Sequence, residues 1–350
     1  DGVHHAVITL SPTTADSALS GSINVTFNKG SSDAIDVDIE NISFNTSGIV
    51  LDPMRPYVYV ASGDSLSTYD IISGALINTT ASPLAGVDLT NLVIHPDGSM
   101  LLASNSETYL DEDEVEQTRV NHYQFDLTLH QFSQINSDDI TIDFRPLMIK
   151  IVAGVPVVIT QTLEYADLNL VRLYWDQENA FFASTIAQAN SADVYMVYNQ
   201  SATSLERFAL AYNAYANEMV TVTHEPTYTN VAFDSLSNFA ISHDSNTIYT
   251  ANSVSEWTSF NGSTYADNGL LQGNANVQTF NTSTDTDDNS YFYRFDPTLG
   301  VTYSKYNNAQ VELWSEVITN ATAQSFLMPA YQRVLIYDLS STTLRLRSHQ

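Results

Sequence analysis

Asp285, Asp287 and Asn289 stand at alternate positions in the run Asp285-Thr286-Asp287-Asp288-Asn289, and Asp296 follows at the twelfth place. Carboxylate and amide oxygens at this spacing are ligands for Ca2+, a hard cation that gathers about six to eight oxygens. The run departs from the helix-flanked form of such loops: Ser290 replaces the glycine of the sixth place, the twelfth residue is Asp rather than Glu, and the residues that follow read as a strand. No Lys or Arg occurs from Phe208 through Tyr293 to compete for the carboxylates. The same run also reads as a solvated acidic loop.

Two further groups could bind something. Trp257, Phe260 and Tyr265 lie among Asn, Ser and Gly, where aromatic faces stack on sugar rings or on a partner protein, or else pin the segment to the body of the protein. Asp111-Glu112-Asp113-Glu114-Val115-Glu116 is a run of mutually repelling carboxylates, read as a flexible solvated loop or as a contact for a cation or a basic partner. Reaction signatures are absent: there is no Gly-x-Ser-x-Gly elbow, His-Glu-x-x-His pair, phosphate loop or dinucleotide glycine fingerprint. His95 and His243 recur at equivalent turn positions, which assigns them to the turns. His4 and His5 are adjacent, so on a strand they point to opposite faces and do not share a metal.

The elements that would carry these residues repeat. Val50-Leu51-Asp52-Pro53 runs into Tyr57–Ser62, Val93-Ile94-His95-Pro96-Asp97-Gly98 into Met100–Ser104, and Ala240-Ile241-Ser242-His243-Asp244 into Thr247–Asn252. Phe326-Leu327-Met328-Pro329 into Arg333–Tyr337 keeps the offset, and weaker copies lie at 148–160 and 186–198. With Val58, Leu101, Val157, Val194, Ile248 and Val334 as markers, the spacings are 43, 56, 37, 54 and 86 residues. Blades of four strands take about 40–50 residues, so this periodicity predicts an all-β chain forming a single β-propeller of four-stranded antiparallel blades over residues 1–350. Seven blades is the preferred count and six the alternative.

N-terminal strands at 3–10, 22–27 and 34–39 are expected to close the ring with the last blade, which lacks an outer strand of its own. Residues 107–119 and 253–290 are expected to be rim insertions, where binding surfaces lie. The third strands end in an aromatic residue followed by Asp, as at Asp70, Asp126 and Asp176, and that Asp is expected to bond its own backbone in a turn. Residues 202–216 allow a helix by spacing, but their place after a marker strand favours a hairpin.

Composition limits the partners. The chain has 350 residues, 43% hydrophobic, with 40 Asp plus Glu against 12 Lys plus Arg, a formal charge of −28. Such a surface repels phosphate backbones and anionic headgroups, which argues against nucleic acid and membrane surfaces and for cations and basic patches. No apolar stretch is long enough to span a bilayer. There is no cysteine, which removes disulfides and thiolate sites. The first residue is Asp1, as after removal of an export signal, so an extracellular or cell-surface location is expected. Sequons at Asn24, Asn41, Asn45, Asn78, Asn199, Asn261, Asn281 and Asn320 would allow glycosylation there.

The phrases LDPMRPYVYVASG, IHPDGSMLLASNS and ISHDSNTIYTANS resemble the surface-layer type (YVTN-like) of seven-bladed propeller, in which a Pro-Asp-Gly turn precedes a Tyr-Val-Ala-Asn-like strand. The resemblance covers residues 48–108 well and the rest loosely. It implies a fold shared by surface-layer proteins, cofactor-binding propellers and lactonases, so it speaks to architecture rather than reaction. The expected role is an exported or cell-surface binding or structural and assembly module, with a protein, a glycan or copies of itself as partner and Ca2+ as a candidate ion. The alternative is an extracellular hydrolase or lactonase with a metal-bearing central pocket.

Overall fold

The computed structural model describes residues 48–110, 114–135 and 145–175 continuously, and elsewhere the strands given below with a few flanking residues. The chain opens with a two-stranded antiparallel hairpin, β1 (Gly2–Leu10) and β2 (Gly21–Lys29), followed by the short β3 (Val37–Ile39). The first full sheet is β4 (Ile49–Leu51), β5 (Tyr57–Ser62), β6 (Ser65–Asp70) and β7 (Leu76–Ala81); the second is β8 (Leu89–Ile94), β9 (Met100–Leu110), β10 (Glu116–Asp126) and β11 (Gln131–Gln134). The third is β12 (Pro146–Val152), β13 (Val155–Thr160), β14 (Glu164–Ala166) and β15 (Arg172–Trp175). The fourth holds β16 (Thr185–Gln188), β17 (Val194–Asn199), β18 (Ser204–Tyr212) and β19 (Val220–His224), with β20 (Tyr228–Thr229) also on β18. The fifth is β21 (Phe239–Ile241), β22 (Thr247–Asn252), β23 (Glu256–Asn261) and β24 (Asp267–Gln272). The sixth is β25 (Ser283–Thr284), β26 (Ser290–Asp296), β27 (Gly300–Tyr306) and β28 (Glu312–Ile318). In the seventh, β29 (Ala323–Met328), β30 (Arg333–Asp338) and β31 (Thr343–Ser348) take β3 as their fourth strand.

The described residues thus form seven blades, all antiparallel, with no helix among them long and apolar enough to cross a membrane. First strands of neighbouring sheets touch, β4 with β8, β8 with β12, β16 with β21, β21 with β25 and β25 with β29, so they line the axis of a ring. The first three sheets are packed on both faces, which is why their second strands are apolar at consecutive positions rather than at alternate ones. Val58 and Val60 of β5 pack against Leu335, Tyr337, Leu344 and Leu346 of the last sheet, while Tyr59 and Ala61 between them pack against Leu101, Ala103, Tyr123 and Phe125 of the second. Leu102 meets Val158 of the third sheet, and Val157 and Ile159 meet Phe208 and Leu210 of the fourth. Alternation along a strand sends neighbouring side chains into different inter-blade cores.

The repeated turn is fixed by polar contacts. In the second sheet the His95 amide donates to the Met100 carbonyl at 2.9 Å, Gly98 adopts φ +69° at the corner, and the His95 imidazole contacts the Asp97 carboxylate at 2.5 Å. His95 is a turn residue as expected; His243 lies outside the described residues. Asp70 accepts from the amides of Ile72 and Ser73 at 2.7 and 2.8 Å, and Asp126 from those of Thr128 and Leu129 at 2.7 and 2.8 Å, so both cap their own turns. Asp176 lies outside the described residues. Within 202–216, Ser204–Tyr212 is the strand β18, not a helix.

Three expectations change. The 86-residue gap between Ile248 and Val334 holds a whole extra blade, the sixth, rather than one blade with an insertion. It escaped the repeat because its first strand is two residues long and the following turn is the polar run at 285–289. The stretch 253–290 therefore carries β23 and β24 of the fifth sheet and β25 of the sixth. Of the three N-terminal strands only β3 enters the closing blade, since β1 and β2 pair with each other.

Candidate functional site

Each sheet runs down, up, down and up, so the turn between its second and third strands lies at the same end of the ring as the link to the next sheet; this is the upper end. At that end the second blade differs from its neighbours. Its middle strands β9 and β10 are eleven residues long, against six for β5 and β6. The burial changes at one level on both strands: Asn105 and Asn121 are buried and paired, and above them Ser106↔Val120, Glu107↔Arg119, Thr108↔Thr118, Tyr109↔Gln117 and Leu110↔Glu116 rise out of the ring. Five pairs at a strand rise of about 3.4 Å make a ribbon roughly 17 Å long. Thr, Tyr and Val at its strand positions favour the extended backbone despite the acidic tip.

The ribbon is fastened at its root. Asn121 Nδ2 donates to Asn105 Oδ1 at 3.1 Å and the Tyr123 hydroxyl to the same oxygen at 3.4 Å; on the other face the Arg145 guanidinium donates to Ser106 Oγ at 2.5 Å. Higher up, Arg119 Nε donates to Glu107 Oε1 at 2.7 Å and its guanidinium lies 5.5 Å from the centre of the Tyr109 ring. Hydrogen bonds from Arg119, then from Asn121, hold the Glu107 carboxyl below its usual range. The tip exposes Tyr109 (44%), Leu110 (66%) and Val115 (52%) to solvent. Residues 107–119, expected as an insertion of flexible acidic loop, are largely this two-stranded ribbon; 111–113 lie outside the described residues.

Below the ribbon His122 is buried, and its imidazole is pushed down to about 4, first by desolvation and then by the Arg145 charge. Its folded value lies below the ordinary value of about 6.5, so the unfolded chain binds the extra proton between those two values. The stabilisation is complete above pH 6.5 and is lost as pH falls towards 4, by up to roughly 3 kcal/mol. Denaturant titrations between pH 7 and pH 4 are expected to show a drop in this window that His122→Gln shrinks; an equal drop in the variant would assign it to other groups.

The other expected site residues lie partly outside the described residues. Asp285, Asp287 and Asn289 lie outside the described residues, and Asp296 ends the extended strand β26 that begins at Ser290. Six strand steps separate Asp296 from Ser290, about 20 Å along β26. Trp257 and Phe260 stand three residues apart on β23, and Tyr265 lies outside the described residues. Among the described residues no three of His, Asp and Glu converge to hold a metal. Sequence reasoning missed the root of the ribbon, Asn105, Asn121 and Arg145, because only the pairing register brings them together.

No family model matches the chain, and no curated protein matches its sequence. Solved structures do match. One, the "Crystal Structure of Mitotic Checkpoint Complex", aligns with a TM-score of 0.62 over 97% of this chain and 98% of that chain, at 11% identity. The chain is a β-propeller. At that identity the likeness shows the architecture alone, and nothing in it singles out the surface-layer type of propeller.

Proposed function

We propose that this propeller is a protein-binding or assembly module of a cell surface or extracellular space, and that the β9–β10 ribbon is its principal contact. The projection of the ribbon above the ring carries this reading: it presents exposed Tyr109, Leu110 and Val115 on a braced stem, where a partner reaches them without disturbing a blade. The test replaces residues 107–119 with Asn-Gly, a two-residue hairpin turn. Affinity capture from extracts and culture fluid of the producing cells is expected to lose the bound proteins at least tenfold with the shortened chain, while cooperative unfolding is retained. An unchanged set of captured proteins would overturn the reading.

Calcium belongs to the same proposal only through Asp285, Asp287 and Asn289. Millimolar Ca2+ is then expected to raise Tm by mass action and Asp287→Ala to abolish the rise. A melting curve indifferent to Ca2+ removes the ion.

A further inference from the structure

The ribbon leaves a strand edge without a neighbour. Strand β8 accompanies β9 only as far as Leu89↔Asn105, and among the described residues no strand continues beside Ser106–Leu110. Because β8 is the first, axial strand of its sheet, this open edge faces the ring axis above the upper mouth of the ring. Main-chain N–H and C=O groups along it are set to pair with one more extended strand. We propose that the edge of β9 from Ser106 to Leu110 captures an extended segment of a basic partner protein by strand addition; this rests on the ribbon being the partner contact.

Charge chooses the occupant. Residues 107–119 carry six carboxylates and one guanidinium, a formal charge of −5 on a chain of −28. A second copy would bring the same −5 to within a strand spacing of about 5 Å, which like charges oppose, whereas a basic segment is drawn in. The two faces of the edge set an alternating pattern. Glu107 and Tyr109 share one face, so an added strand places Lys or Arg there, over a carboxylate and an aromatic ring; Thr108 and Leu110 share the other, which suits Val or Ile.

The probe is an eight-residue end-capped peptide of alternating Lys and Val, labelled for fluorescence anisotropy. The intact protein is expected to bind it saturably and at least tenfold more tightly at about 50 mM than at about 500 mM salt. A peptide of the same sequence N-methylated at every backbone amide keeps the charge and side chains but lacks the donors. It is expected to bind at least tenfold more weakly, as is the parent peptide to the chain lacking 107–119. Equal binding of the two peptides would show attraction by charge alone, and equal binding by the shortened chain would place the site elsewhere; either result overturns strand addition. If natural partners still leave with the ribbon while both peptides bind equally, strand addition fails and the ribbon contact stands.

Discussion

Asp52→Ala is expected to cost about 3 kcal/mol, the largest effect of any single substitution in the described turns, because it leaves a partly buried guanidinium and a buried phenol without their carboxylate. The Asp52 carboxylate is fully buried and accepts four hydrogen bonds: from the amides of Met54 and Arg55 at 2.8 and 2.9 Å, from Arg55 Nε at 2.6 Å and from the Tyr59 hydroxyl at 2.7 Å. Burial, then the Asp52 charge, push the Tyr59 phenol up, so that hydroxyl stays a donor. Once oriented by Asp52, Arg55 bridges to the next blade through the carbonyls of Gly98 at 2.7 Å and Leu127 at 3.3 Å. The substitution therefore loosens a turn and an inter-blade clamp together. Denaturant unfolding measures it, with Tyr59→Phe, which removes its bonds to Asp52 and from Arg55 but keeps the Asp52–Arg55 pair, expected to cost about 1–2 kcal/mol. A cost below that range for Asp52→Ala would show that the carboxylate does not organise the clamp.

Removing residues 1–42 is expected to destabilise the ring by about 5 kcal/mol and to promote self-association, whereas removing 1–30 leaves the closure intact. Among the described residues the closing contacts begin at Asp36: its Oδ1 accepts from the Ser348 amide at 3.0 Å, Val37↔Leu346 and Ile39↔Leu344 pair, Asp38 meets Arg347 at 2.7 Å, and the Ile42 amide donates to the Thr342 carbonyl at 2.9 Å. Val37, Ile39 and Ile42 then help cover Leu344 and Leu346, at roughly 1.5–3 kcal/mol for each side chain fully buried. The same joint is held from the other side, where Arg333 donates to the Ile72 carbonyl at 2.9 Å across the seam between last and first blade. Without β3, β31 becomes an open edge, the usual start of edge-to-edge aggregation. Thermal unfolding and sedimentation of the two truncations check this; equal Tm values would show that β3 contributes no closure.

The blade phrases were legible in the sequence because their causes are local. An Asp or His ahead of a Pro, with a Gly at positive φ in the fullest copy, makes the turn, and consecutive apolar residues make a strand buried on both faces. These decided an all-β repeat fold, the capping roles of Asp70 and Asp126, and the turn role of His95. The sixth blade was not legible, since the two-residue β25 and the polar run after it carry no local signal, and β25 is held by pairing with β26 and contact with β21 and β29.

Tertiary structure alone decided the ribbon. Residues 107–119 look like a charge run because composition ignores register; paired in register, Glu107 faces Arg119 and the acidic tip stands on a ribbon rooted in Asn105 and Asn121. Likewise the spacing from Asp285 to Asp296 suits a closed loop, whereas its second half, Ser290–Asp296, is the extended strand β26, about 20 Å long. Sequence spacing measures distance along the chain, and it predicts a site only where the backbone between the residues turns back.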